Sequence, residues 1–226
     1  MFDNIAHKYD FLNHFLSGGI DKKWRRKTIK LLAPEKPRII LDVATGTGDF
    51  ALDACKLEVE KVIGIDISGK MLSIGKEKIK RKNLEDKIML EHGDCENLKY
   101  QDKLFDAVIA GFGVRNFDNI SRGISEMFRV LKPGGHLMIL ELSRMDIFPV
   151  KQLFELYFHF IVPLIGKMIS KDQAAYAYLP KSVKAFPKRK KMVEILKDAG
   201  FDRVEVHKFT LGIATLFHGV KGNCLN

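Results

Sequence analysis

Between Arg38 and Leu142, apolar residues fall in short continuous runs separated by longer stretches in which they recur every three or four positions. RIILDVA (38–44), KVIGIDI (61–67), FDAVIAGF (105–112) and HLMILEL (136–142) are apolar almost throughout, as strands covered on both faces are. KIMLEHGD (87–94) is a more polar fifth strand. GDFALDACKL (48–57), GKMLSIGKEKIKRKN (69–83) and NISRGISEMFRVL (119–131) carry helical spacing instead, as in Ile120, Ile124, Met127, Phe128 and Leu131. KPGG at 132–135 predicts the stop of the last of these helices. After Pro187, Met192, Val193, Leu196 and Ala199 line one face of a further helix that Gly200 ends. DRVEVHKF (202–209) and IATLFHGV (213–220) then predict an antiparallel hairpin at one edge of the sheet.

This alternation specifies an α/β fold: a mostly parallel sheet with helices on both faces and a C-terminal antiparallel hairpin. Two segments stand outside it, an N-terminal helical extension (1–37) and an insertion after the fifth strand (146–183). A chain of 226 residues, 46% hydrophobic, has material for one sizeable core, so 1–226 is expected to form a single domain.

The strand at 38–44 ends in chemistry. Asp42 is followed by Thr45-Gly46-Thr47-Gly48 and then a helix. Such a turn lets backbone approach a ligand closely at the carboxyl edge of a parallel sheet. No Gly-Lys-Ser/Thr follows, which excludes a P-loop. GTGDFA does fit the dinucleotide pattern G-x-G-x-x-G/A, and Asp66 closes the second strand where a ribose-binding acid would stand. The surrounding acids decide between ligands. Asp42 would repel a pyrophosphate but hold the ammonium of an amino acid. Asp66 can accept from ribose hydroxyls, and Asp94, ending the third strand in GDCENL, can meet an adenine amino group beside the Cys95 amide. An ammonium, a ribose and an adenine together describe S-adenosylmethionine. The alternative for Asp42 and Asp94 is that each caps a turn or helix.

With these residues in view, the chain resembles the class I S-adenosylmethionine-dependent methyltransferases, and within them the C-methyltransferases of menaquinone and ubiquinone biosynthesis. The likeness rests on YDFLNHFLSGGIDKKW (9–24), LDVATGTGDF (41–50), GFGVRNF (111–117), RVLKPGGHLMILELS (129–143) and AYAYLPKSVKAFP (175–187). Ala44 departs from the usual first glycine of the turn, and Asp21 stands where many members carry histidine. The resemblance implies a Rossmann-like seven-stranded sheet, and a cofactor site that takes in Thr45, Gly46, Gly48 and Gly111 with the three acids and Cys95. It also implies a polyprenylated quinol acceptor. Demethylmenaquinol is favoured, by the look of FDNIAHKYDFLNHFLS and ISKDQAAYAYLP, over a methoxybenzoquinol.

Methylating a ring carbon next to a phenol requires that the phenolic proton leave or the phenolate be stabilised. Arg115 and Asn116 follow the fourth strand at the carboxyl edge, and Tyr9, Asp10 and Asn13 can close over the site. Arg115 can stabilise a phenolate or, alternatively, form a salt bridge that holds its loop. His7 and His14 titrate in a useful range, and Tyr176 and Tyr178 can line the acceptor pocket or serve as core aromatics. Displacement at a sulfonium needs no metal.

Charge and partners complete the picture. Three cysteines (Cys55, Cys95, Cys224), without metal-ligand spacing, suit free thiols in a reducing compartment. The start MFDNIAHKYD lacks the pattern of a secretory signal, so a cytoplasmic location is expected. The net charge of +10 would attract nucleic acid, anionic lipid or acidic partners. A nucleic-acid methyltransferase is disfavoured because aromatic residues do not interleave the basic ones. FPVKQLFELYFHFIVPLIGKMIS (148–170) has an uncharged core too short to span a bilayer, which needs ~20 apolar residues. With Lys188, Arg189, Lys190 and Lys191 nearby, it predicts a lid that covers a greasy substrate or rests on the membrane surface at the inner face, the alternative for the basic residues being a solvated face. The pattern leaves the oligomeric state open.

Overall fold

The computed structural model describes residues 19–143, Gln152 and 173–223. Seven strands form one sheet: β1 (Ile39–Val43), β2 (Lys61–Asp66), β3 (Ile88–His92), β4 (Phe105–Gly111), β5 (Leu131–Leu142), β6 (Phe201–Phe209) and β7 (Ala214–Lys221). Their order is β3-β2-β1-β4-β5-β7-β6. The first five pair in parallel, while β7 runs antiparallel between β5 and the edge strand β6. The described helices are α1 (Ile20–Leu32), α2 (Asp49–Ala54), α3 (Gly69–Arg81), α4 (Ile120–Val130), α5 (Gln173–Ala185) and α6 (Arg189–Asp198).

Strand alternation sorts the core into two layers. On one face Ile40, Ile109, Met138 and Leu216 pack under Trp24 and Ile29 of α1, Phe50 of α2 and Leu72 of α3. On the other, Leu41, Val43, Val108, Ile139 and Phe217 meet Ile124 and Met127 of α4 and Met192 and Leu196 of α6. Because both faces are covered, the central strands tolerate almost no polar residue. Two of the carboxylates they carry, Asp42 and Glu141, are wholly buried. By the same alternation, Asp42 lies on the α1–α3 side with Ile40, and Glu141 on the α4–α6 side with Ile139.

Local sequence explains the helix starts. Ser68 caps α3 by accepting from the Met71 amide (3.2 Å), and Asn119 caps α4 by accepting from the Arg122 amide (3.0 Å). Caps of this kind are each worth about 1 kcal/mol.

Two boundaries differ from the sequence expectation. KPGG follows the end of α4, but β5 already pairs at Leu131, so the KPGG residues bulge between Phe105↔Leu131 and Ala107↔His136, with Gly134 at φ 76°. Proline and glycine do mark the end of α4, as read from sequence, and the same residues also bulge the start of β5. The third strand ends at His92, which leaves Asp94 in the turn beyond it rather than on the strand. Among the described residues, no helix is long and apolar enough to cross a membrane.

Candidate active site

β1 lies between β2 and β4, so the chain leaves β1 and β4 toward opposite sides and opens a crevice at their carboxyl ends. The glycine turn fills one side. Ala44, Gly46 and Gly48 all take left-handed backbone, at φ 54°, 56° and 79°. Ala44, where the general pattern has glycine, therefore carries modest strain of about 1 kcal/mol. Asp66 fixes the turn with both oxygens, accepting from the Gly46 amide and the Ser68 amide at 2.8 Å each. Space beside Gly46 is open, since a Cβ built there would meet nothing within 4 Å.

Two further glycines make room for the turn, and neither was legible from sequence. A Cβ on Gly64 of β2 would come within 2.8 Å of the Thr45 hydroxyl. One on Gly75 of α3 would stand 3.0 Å from the Thr47 carbonyl carbon and oxygen and 2.5 Å from Leu90. Gly→Ala inside a helix ordinarily stabilises by roughly 1 kcal/mol. Here overpacking against backbone, typically 1–3 kcal/mol, reverses the sign. Gly75→Ala is therefore expected to lower the melting temperature and weaken cofactor binding together, as thermal scans with and without cofactor would record.

The three acids at the carboxyl edge stand in unlike environments. Asp42 accepts from the Thr45 hydroxyl through Oδ2 (2.5 Å), while its Oδ1 is buried with no hydrogen-bond partner. Burial pushes the carboxyl up to about 7, opposed by the Thr45 hydroxyl and the Ala51 amide. Asp94 is exposed and accepts from the Glu96 amide (2.8 Å), so it does cap its turn. Cys95 is buried next to Ala44; burial raises its thiol to about 12, with Asp66, Asp94 and Asp42 all acting in the same direction. That thiol is chemically quiet at neutral pH.

Behind the turn stands a buried ion cluster. Arg25 of α1 reaches Asp21 (2.7 Å), Asp49 (3.2 Å) and Asp53 (3.2 Å). Lys78 of α3 donates to Thr47 Oγ1 (2.8 Å) and pairs with Asp49 (2.9 Å). Asp21, the departure from the family histidine, thus serves as an i,i+4 partner for Arg25. Trp24 donates from its indole to Thr210 Oγ1 (2.8 Å), with its ring centroid 6.2 Å from that of Phe112. Together these contacts tie α1 to both sides of the crevice.

The segment after β4 forms the opposite wall. At Gly111 a Cβ would stand 2.8 Å from the Phe50 ring, and at Gly113 one would stand 2.5 Å from the Ala44 methyl. Gly111 thus makes room for α2, and Gly113 accommodates the methyl that Ala44 adds to the turn. Arg115 takes the salt-bridge arrangement. Its Nη1 pairs with Glu141 Oε1 (2.6 Å) and donates to the Phe112 carbonyl, and its amide donates to Glu141 Oε2 (2.9 Å). Burial pushes the Glu141 carboxyl up and Arg115 opposes that. Glu141 sits in an apolar strand, where sequence alone gave no sign of this role. Asn116 Oδ1 accepts from the Tyr178 hydroxyl (3.0 Å), joining the wall to α5 of the insertion.

Tyr9, Asp10, Asn13, His7, His14, the side chain of Tyr176 and segment 148–170 apart from Gln152 lie outside the described residues. The orphan Asp42 oxygen and the open space at Gly46 fit a cationic ligand that approaches backbone closely, as the expected cofactor does.

Comparisons with known proteins agree. The model of the ubiE/COQ5 methyltransferase family matches residues 1–221. A demethylmenaquinone methyltransferase of Bacteroides fragilis is 50% identical over 222 residues, 98% of this chain and 91% of its own. A ubiquinone/menaquinone biosynthesis C-methyltransferase of Geotalea daltonii is 43% identical over 98% of this chain and 94% of its own. Among solved structures, an S-adenosylmethionine-dependent methyltransferase of Thermotoga maritima, described as a possible histamine N-methyltransferase, superposes with TM-score 0.68 over 97% of both chains at 20% identity. That likeness carries the fold.

Proposed function

Since the chain belongs to the ubiE/COQ5 methyltransferase family and uses S-adenosylmethionine, we propose that it methylates a ring carbon of demethylmenaquinol. The observation that carries this reading is the full-length similarity to demethylmenaquinone methyltransferases, at a crevice whose buried acid and open glycine turn suit the cofactor. When bound, the cofactor supplies a methyl group on a sulfonium. Asp42 faces its ammonium, Asp66 its ribose, and Asp94 with the Cys95 amide its adenine, while Thr45, Gly46 and Gly48 shape the turn that receives it. Gly111 acts indirectly, by seating Phe50.

Across the crevice, Asn116 and Tyr178 orient the quinol ring, and Arg115 positions the GFGVRNF loop through Glu141. Tyr9 closes the site from the N-terminal segment. Holding the ring carbon in near-attack geometry and excluding water is worth roughly 7–11 kcal/mol of barrier. Removing the Tyr178 hydroxyl deletes one neutral hydrogen bond, about 0.5–1.5 kcal/mol. Tyr178→Phe should therefore raise KM for the prenylated acceptor about 2- to 13-fold and leave cofactor affinity unchanged, as steady-state kinetics and calorimetry would show.

Residues 1–226 act as one domain in this reading, with 146–183 as a lid on a cytoplasmic enzyme that meets the membrane peripherally. The basic charge then serves lipid rather than nucleic acid. Lys188, Lys190 and Lys191 are exposed at the start of α6. Each basic residue near an anionic surface contributes about 1 kcal/mol. Replacing Lys188, Lys190 and Lys191 by glutamine should reduce binding to phosphatidylglycerol vesicles at least tenfold in a flotation assay, without loss of cofactor binding.

The deciding experiment is transfer of label from radiolabelled S-adenosylmethionine to chemically reduced demethylmenaquinone, beside a reduced demethylated ubiquinone precursor and both unreduced quinones. Label in the naphthoquinol alone establishes the proposal. Label in the benzoquinol alone moves the chain to the ubiquinone branch.

A further inference from the structure

We propose that Glu205, His207 and His218 bind one divalent transition-metal ion, zinc fitting best, at the outer edge of the sheet. Glu205 and His207 stand two residues apart on β6, which puts both on one face, and His218 of β7 is registered directly opposite Glu205. One donor atom from each residue lies within 4.8 Å of the other two. His207 Nε2 is 3.4 Å and His218 Nδ1 3.9 Å from the same oxygen, Glu205 Oε2. Ligand atoms about 2.0–2.2 Å from a tetrahedral zinc are separated by ~3.4 Å, so modest side-chain rotation closes the set.

Two features go beyond proximity. Arg203 holds the other oxygen, with its Nε 2.8 Å from Glu205 Oε1, which turns Oε2 toward the imidazoles. On the inner side, His218 Nε2 lies 2.9 Å from His136 Nδ1, and His136 Nε2 lies 3.2 Å from Glu35 Oε2. A single proton assignment satisfies that chain. His136 donates to Glu35 and His218 donates to His136, which leaves His218 Nδ1 unprotonated and facing Glu205 and His207. Carboxylate-backed histidine of this kind is the usual support behind a metal ligand. Two imidazoles and one carboxylate suit zinc, with solvent for the fourth position beside His207, whose side chain is 34% exposed.

Glu35 leads into β1 and His136 stands toward the start of β5, so this cluster occupies the edge of the sheet opposite the glycine turn. A metal there would clasp the edge strand β6 to β7. It is independent of the methyl-transfer chemistry, which needs no metal.

Tag-free, chelator-treated full chain should be titrated with zinc chloride by calorimetry and thermal scanning, beside His207→Gln, His218→Gln and His136→Gln. One zinc per chain with a raised melting temperature is expected. That binding should be lost in His207→Gln and His218→Gln, and weakened about 10- to 100-fold in His136→Gln. Cobalt should give the visible absorption of a four-coordinate site in the parent chain and not in His207→Gln or His218→Gln. Circular dichroism checks that each variant folds, and His207, on the exposed edge, is the least demanding substitution. Zinc binding that is absent from the parent, or that persists unchanged in His207→Gln and His218→Gln, overturns the proposal.

Discussion

Arg115→Ala is expected to destabilise the fold by about 3–5 kcal/mol, because it leaves the Glu141 carboxylate uncompensated within the sheet. Arg115 side-chain exposure is 7% and that of Glu141 is 0%, so solvent screens little of the loss. The variant also frees the Phe112 carbonyl and loosens the loop that carries Asn116. Its stability should be strongly pH-dependent. Burial already raises the folded carboxyl of Glu141, and removing Arg115 raises it further. A group raised on folding leaves stability intact below its unfolded value and costs stability as pH rises through the folded value. Urea unfolding of Arg115→Ala should therefore show recovery on acidification toward 4.5, the ordinary glutamate value. Adding Glu141→Gln should remove that slope.

The same pair separates positioning from catalysis. Replacing both partners by apolar residues, as in Arg115→Met with Glu141→Leu, restores much of the stability. Turnover that returns with stability makes Arg115 a positioning residue only. Turnover that stays low while the fold and cofactor binding are normal would give its guanidinium a direct part in phenolate stabilisation.

How legible this site was depends on how local its parts are. The strands, the glycine turn and the acids at 42, 66 and 94 follow from short-range pattern, because strand period, turn chemistry and end-of-strand placement are all written within a few residues. The pairing of Arg115 with Glu141 was not legible. Glu141 is one carboxylate in an apolar run, and its partner arrives from the neighbouring strand's loop through sheet register. Gly75 reads as a weak point in a helix until α3 is laid on the Thr47 backbone. The histidine cluster was hidden for the same reason: Glu35, His136, Glu205, His207 and His218 meet only when β5, β7 and β6 pair. KPGG marked the end of α4 correctly but hid the early start of β5, because proline and glycine mark a departure from helix and do not say whether the chain turns away or bulges within a strand.

Asp42 gives the second large effect, and it concerns protons. Its carboxyl stands at about 7 in the folded protein against an ordinary 3.8, chiefly because it is buried, with Asp66 adding to the shift and Thr45, Ala51 and Arg25 opposing it. An acid raised on folding leaves stability undiminished below 3.8 and loses it progressively as pH rises toward 7. At 1.36 kcal/mol per unit, that interval corresponds to ~4 kcal/mol at most. A cation seated beside the partnerless Oδ1 favours the ionised form, so cofactor binding must draw the proton off. Below pH 7, affinity for S-adenosylmethionine should rise with pH, by up to about tenfold per unit, with release of up to one proton per site. Calorimetry in buffers of different ionisation enthalpy reads that proton directly. Asp42→Asn should fold with a flatter stability profile, bind more weakly at pH 8, and release no proton. Proton uptake by the parent protein, or a release unchanged in Asp42→Asn, would mean that another group meets the ammonium and that Asp42 serves only to hold Thr45 in the turn.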